Sequence, residues 1–286
     1  MKVKVTMYIM FPAVMALLLG LLSDHPNEYR QNGDDPSIQD ERCGIVNSTF
    51  LPGEEVVYKV FYNWGIFWTT AGLVHFTVAE SEDQYHIKVT GSTAGFYDNF
   101  YTVRDTFETW LDKETLQPTM FIRIINEGKY RHYNKFIFDQ DQGIVTSYKG
   151  EHRDDLESSE EVFTECMHDI ISILYHVRNM NFDTLQVGET FPIDIYLEKK
   201  YPLNVKIMEK DKKQKVRGMG KFFTHVFQPQ LIAGEVFKEK DQMTIYISAD
   251  SNRVPLLIES PLTVGKIKAF LFHYRGLKYD LTAEVQ

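Results

Sequence analysis

The chain has 286 residues, 43% of them hydrophobic, and a formal charge of −9 at neutral pH. That length suits one large β domain or two ordinary ones and allows a substantial core. The acidic balance excludes a nucleic-acid partner, which needs a basic face to displace counterions; the one dense basic run, Glu209 to Arg217 (EKDKKQKVR), interleaves its own acids and reads as a solvated hairpin or loop.

In chain order, the first element is a targeting segment. Lys2 and Lys4 precede an apolar run from Val5 to Leu22 that contains no acid, the pattern of a secretory signal. No A-x-A site precedes Ser23, and the run reaches the lower length limit of a membrane span, so residues 1–22 are expected to be a signal peptide or an N-terminal anchor. Loss of the two lysines takes the charge from −9 to −11. No transmembrane span is expected after residue 22. Residues 23–44 are polar and acidic without hydrophobic period and read as a flexible leader. Residues 45–286 then form a single β-rich domain, or two β subdomains joined by a helix.

Export gives the cysteines meaning. Cys43 and Cys166 are the only two in the chain, and an even pair in an oxidising compartment favours a disulfide; the alternative is two separate buried thiols. Asn47-Ser48-Thr49 matches a glycosylation sequon, a pattern common by chance.

Period-two alternation starts at Val56. Tyr58 and Tyr62 share one face and Phe61 takes the other, Asn63-Trp64-Gly65 predicts a turn, and Gly72 predicts a bulge in the returning strand. Strands are expected at 84–92, 101–112, 118–127, 130–139 and 143–150. In the next segment Phe163, Met167, Ile170, Ile171, Leu174 and Val177 recur at helical spacing, with Ser158 or Ser159 as the cap and Cys166 on the apolar face. Strand patterns resume at 190–198, 201–209, 216–226, 233–237, 242–249, 254–259 and 265–274. The fold class is therefore mainly β: a large curved antiparallel sheet, or a partly open β-barrel or sandwich, with one packed α-helix at about 160–180 acting as plug or lid.

Catalytic motifs are missing. There is no H-E-x-x-H, no Cys/His spacing for zinc, no P-loop, no G-x-G-x-x-G and no G-x-S-x-G, so no metal, cofactor or catalytic residue is assigned. His168 and His176 lie two helical turns apart and read as satisfied or exposed histidines. Charge inside strands is more suggestive. Arg104, Thr106, Glu108 and Trp110 share one face, and Arg123, Glu127, Arg131 and Lys135 follow on later strands. Such an arrangement makes cross-strand ion pairs or the polar floor of a pocket. Asp105 and Glu108 face opposite sides of their strand and do not act as a carboxylate pair.

Several phrases in order, LPGEEVVYKVFYNWGIFWTTAGLVHFTV, GFYDNFYTVRDTFETWLD, GKYRHYNKFIFD, DIISILYHVRNM and MTIYISADSNRVPLLIESPLTVGKIKAFL, resemble a family of exported gram-negative proteins called domain of unknown function 3108. The resemblance covers about residues 50 to 275. It implies an exported, periplasmic or envelope-associated, mostly β protein and supplies no reaction. The residues it marks include Tyr62, Trp64, Gly65, Arg104, Asp105, Trp110, Tyr130, Arg131, Tyr175, Arg178, Asn252, Arg253 and Pro255.

The expectation is a non-enzymatic envelope protein that binds an amphiphilic or lipid-like ligand in a groove of the sheet. Tyr62, Trp64, Trp68, Arg104, Trp110, Arg131 and Arg253 are its candidate ligand contacts. The competing readings are a scaffold module with an envelope protein partner, and a hydrolase acting on envelope glycan or lipid.

Overall fold

The structure is a computed structural model and describes residues 43–64, 67–99, 101–164, 166–229, 242–262 and 265–285. The expected targeting segment, most of the leader, Gly65 and the expected strand at 233–237 lie outside the described residues, as do the side chains of Trp64, Phe67 and Phe96.

Two meanders make up the chain. The first runs through β1 (Glu55–Trp64), β2 (Phe67–Glu80), β3 (Gln84–Thr93), β4 (Arg104–Asp112), β5 (Pro118–Glu127), β6 (Tyr130–Asp139), β7 (Ile144–Gly150) and β8 (Glu157–Val162). After β9 (Met167–His168) and the helix α1 (Ser172–Asn179), the second runs through β10 (Thr190–Tyr196), β11 (Lys200–Val216), β12 (Gly220–Pro229), β13 (Thr244–Ser248), β14 (Pro255–Pro261) and β15 (Lys266–Arg275).

β15 returns to pair with β1, so both wings join in one 15-stranded sheet ordered β8-β7-β6-β5-β4-β3-β2-β1-β15-β14-β13-β12-β11-β10-β9. Every pairing is antiparallel except the short one between β9 and β10. The two edges, β8 and β9, follow one another in the chain but do not pair, which leaves a seam in the curled sheet. Side chains cross it: Lys200 Nζ donates to the Val162 carbonyl at 2.9 Å and Gln140 Nε2 to the Met167 carbonyl at 3.1 Å.

One apolar core spans both wings. On the inner face Phe121 stacks on Phe136 at 5.6 Å, and Phe136 meets the edge of Tyr196 from the other wing at 5.0 Å. α1 packs directly on this core, with Tyr175 against Phe50 at 4.9 Å and Ile170, Ile171 and Ile173 buried. The Tyr58 and Tyr62 face therefore looks inward, toward the helix, and the Phe61 face looks out. The bulge expected at Gly72 falls between Val60 and Phe61 in the β1–β2 ladder, and a Cβ on Gly72 would lie 2.3 Å from the Ser92 carbonyl oxygen.

Several sequence expectations are corrected. The helix is shorter than 160–180, because residues 157–162 pair with β7 and Met167-His168 pair with β10; their helical spacing reflects burial alone. Its start is set by Asp169, whose Oδ1 accepts from the Ile171 and Ser172 amides, and not by Ser158 or Ser159. Of the two readings of the basic run, the hairpin holds and the loop does not: β11 continues through it to Val216 and pairs with β12 beyond the turn, with Val216 buried and alternate residues facing solvent. The reversal expected at Asn63-Trp64-Gly65 falls after Trp64, because Asn63 pairs with Trp68 and Trp64 with Phe67. Cys43 and Cys166 do form a disulfide, with Cα atoms 5.1 Å apart, but Cys166 precedes β9 and does not sit on the helix.

Candidate functional site

Of the seven candidate ligand contacts, the six whose side chains are described do not converge. Tyr62 is buried on the inner face. Trp68 lies outside, 42% exposed, under Lys268 at 5.5 Å. Arg104 pairs with Asp98 at 2.6 Å, Trp110 stacks on His86 at 4.4 Å, and Arg131 donates to the carbonyls of Gly128 and Tyr130. Arg253 lies over Phe182 and donates to the Arg178 and Met180 carbonyls. The side chain of Trp64 lies outside the described residues.

The outer face of the β1–β2–β15 junction does form a concavity. Alternation points Lys59 and Phe61 outward on β1; Thr70 on β2 sits opposite Phe61, and Phe270 on β15 sits opposite Lys59. Phe272 completes the floor, and Arg217-Gly218, the turn from β11 into β12, reaches over it. The groove has a volume of about 240 Å³. Arg217 lies 4.3 Å from the Phe61 ring centre, and Lys59 lies 5.7 Å from that of Phe61 and 5.3 Å from that of Phe272. Phe272 is 56% exposed. Among the described residues no carboxylate pairs with Lys59 or Arg217. The sequence carried a trace of this site in Lys59-Val60-Phe61 and Phe270-Leu271-Phe272, two period-two patterns that show the same chemistry on one face; that the strands are neighbours is a matter of topology.

A second cluster lies inside, where β4, β5 and β6 face the β10–β11 turn. Asp105 and Glu127 come together, and Tyr101 donates to Glu127 at 3.3 Å. Burial pushes Asp105 up to about 6; burial and then the Asp105 charge push Glu127 up to about 8. Arg123, whose charge burial disfavours, reaches Glu198 at 3.2 Å, and His132 meets the same carboxylate at 3.3 Å. The hydrogen bond from His132 holds Glu198 below the usual carboxylate range. The carboxylate partner that sequence spacing denied to Asp105 on its own strand comes from β5.

A third cluster fastens α1. Arg178 donates to both oxygens of Glu54 at 2.6 and 2.9 Å, to the Asn252 carbonyl at 3.2 Å and to the Thr49 carbonyl at 3.3 Å. The rings of His168 and His176 lie 4.5 Å apart, and burial lowers both, His176 to about 4, so both are neutral at physiological pH. No group of three or more metal-ligating side chains is arranged to hold an ion among the described residues.

An open, curled, almost wholly antiparallel sheet with one α-helix among the described residues defines a mostly β, β-barrel-like fold. The chain matches the family described as protein of unknown function (DUF3108) over residues 57–271, and it belongs to that family. It is similar in fold to a β-barrel-like protein of domain of unknown function DUF1849 from Brucella abortus, at 9% identity and a TM-score of 0.52, with 81% of this chain and 100% of that one covered. A putative exported protein with YmcC-like fold from Bacteroides fragilis aligns at 8% identity and a TM-score of only 0.28 over 82% of this chain and 100% of that one. No curated protein matches.

Proposed function

We propose that this is a non-enzymatic envelope protein of a gram-negative bacterium, exported across the inner membrane, that binds an anionic amphiphile in the groove on the outer face of β1, β2 and β15. Export is supported by the disulfide and by the apolar N-terminal run of the sequence. The observation that carries the binding reading is the pairing of a phenylalanine floor with two cations, Lys59 and Arg217, that no described carboxylate neutralises. An alkyl chain removes the Phe270 and Phe272 surface from water while its acidic head meets the cations, so both halves of an amphiphile are recognised. At about 240 Å³ the groove is smaller than drug-sized pockets, which run to roughly 300–1,000 Å³, and suits a single chain.

Calorimetric titration with decanoate and with decanol tests the reading. Decanoate should bind, decanol should bind about tenfold more weakly or not at all, and Phe61→Asp and Arg217→Glu should each cost about tenfold or more. Equal binding of the alcohol, or full affinity in both variants, would overturn it.

A further inference from the structure

We propose that the outer face of β1, β2 and β15 is a docking surface for an anionic lipid bilayer, with the groove as one part of it. Two exposed aromatics flank the groove: Trp68 on β2, 42% exposed and outside the groove's lining, and Phe272 on β15, 56% exposed. Both positions follow from the ladders. Asn63 on β1 pairs with Trp68 on one side and with Lys266 on the other, so Trp68 and Lys266 stand level across β1 on the outer face. A bulge in the β1–β15 ladder between Val57 and Tyr58 leaves Phe272 without an opposite residue and turns it to solvent. The stretch between them is continuous. Lys268, opposite Phe61, lies 5.5 Å from the Trp68 ring centre; the Phe61 and Phe270 rings meet edge to face at 5.8 Å; and Lys59 lies 5.3 Å from the Phe272 ring centre.

The charge on this face runs against that of the chain, which carries −9 overall. Its acids are engaged, Glu259 by Lys268 and Glu55 by His75 and Arg275, and among the described residues no carboxylate pairs with Lys59, Lys266 or Arg217. Exposed acids gather elsewhere, as at Glu157 and Glu160 on β8, the far edge of the first wing. The molecule therefore has a positive side that an anionic surface attracts. Close to such a lipid surface each free Lys or Arg is worth about fivefold in affinity, and Trp settles by preference at the boundary between headgroups and hydrocarbon. Other partners fit this chemistry less well. The cores of protein interfaces are depleted in Lys, whereas Lys59, Lys266 and Lys268 all stand on this face. β1, β2 and β15 are each paired on both edges, so no peptide can add to them as a strand. A second copy would set two positive faces against each other.

The test is tryptophan fluorescence of the full chain titrated with vesicles of phosphatidylglycerol and, separately, of phosphatidylcholine. Phosphatidylglycerol should move the emission to shorter wavelength and shield it from acrylamide; phosphatidylcholine should do neither. The apolar N-terminal run meets both lipids alike, so the difference between them reads the face. Trp68→Phe keeps an aromatic ring, removes the reporter and should abolish most of the shift. Lys266→Glu, outside the groove, should weaken vesicle binding about tenfold or more, and raising sodium chloride from about 0.05 to about 0.5 M should do the same to the wild type, which serves if the variant fails to fold. The proposal shares its face with the groove reading but not its ligand test: Lys266→Glu should bind decanoate as the wild type does, and vesicle docking without decanoate binding sinks the groove reading alone. Four results overturn the docking surface: an equal response to both lipids; no response to either, as a protein partner would leave it; a shift retained in Trp68→Phe; or vesicle binding unchanged by salt or in folded Lys266→Glu. Emission that changes with protein concentration in place of lipid assigns the face to self-association and overturns it as well.

Discussion

Two buried arginines hold this molecule together in different ways. Arg178 uses all three of its nitrogens: two meet Glu54 in a forked pair, and the set is completed by the carbonyls of Asn252 and Thr49. It ties the N-terminal segment, α1 and the loop before β14 into one knot. Arg123 makes a single ion pair with Glu198 across the seam and leaves its Nε without a partner, beside two carboxyls that burial has driven toward their neutral forms. A buried charge is tolerable when its geometry is complete, and an incomplete set has room to respond to protons. The knot is a rivet; the seam is adjustable.

Reducing the disulfide tests the riveted side most strongly. The bridge spans a sequence separation of 123 residues, so its loss should cost about 4–5 kcal/mol in the chain-entropy view, read as a fall in the urea midpoint with dithiothreitol. Arg178→Met comes next. It strands Glu54 without its cation and should cost about 3–5 kcal/mol by equilibrium unfolding. Arg123→Met should cost only about 1–2 kcal/mol at pH 6, because Glu198 turns to water and the two carboxyls stay protonated more readily. Equal costs for the two arginine variants would erase the distinction drawn here.

Proton linkage sharpens it further. Glu127 has a folded pKa raised to about 8, so its stabilising contribution is complete below the ordinary carboxylate range and is lost as pH rises through 8. Melting temperatures of the wild type should therefore fall between pH 7 and 9, above the range in which Asp105 titrates, whereas Glu127→Gln should hold its value over that window and exceed the wild type at pH 9. His176 behaves oppositely. Its folded pKa is depressed to about 4, so its contribution is present above the ordinary histidine value and disappears as pH falls through 4. His176→Phe should flatten that acid limb by the smallest of these effects, as monitored by melting temperature from pH 7 to 4.

The strand-by-strand character of the protein was legible because period-two alternation is a local consequence of burying one face. It located β3, β5 and β6 within a residue or so, put Tyr58 and Phe61 on opposite faces and foresaw the bulge at Gly72. Helical spacing misled at 157–170: Phe163, Met167 and Ile170 are spaced like a helix face only because a strand edge, a bridge and a turn bury them in succession. The candidate contacts chosen for their aromatic or cationic type scattered, because residue type does not tell which strands become neighbours.

By itself, the sequence determined a mostly β chain with two cysteines to spare for one bridge and no catalytic motif, since composition and local period depend on nothing distant. Tertiary structure alone decided the rest. Pairing of the last strand with the first brought Lys59 and Phe61 beside Phe270 and Phe272, pairing of β4 with β5 brought Asp105 to Glu127, and curling of the sheet brought Arg123 to a turn in the other wing. Those contacts join residues from different strands, and their energies come from burial and charge geometry that only the assembled, curled sheet creates.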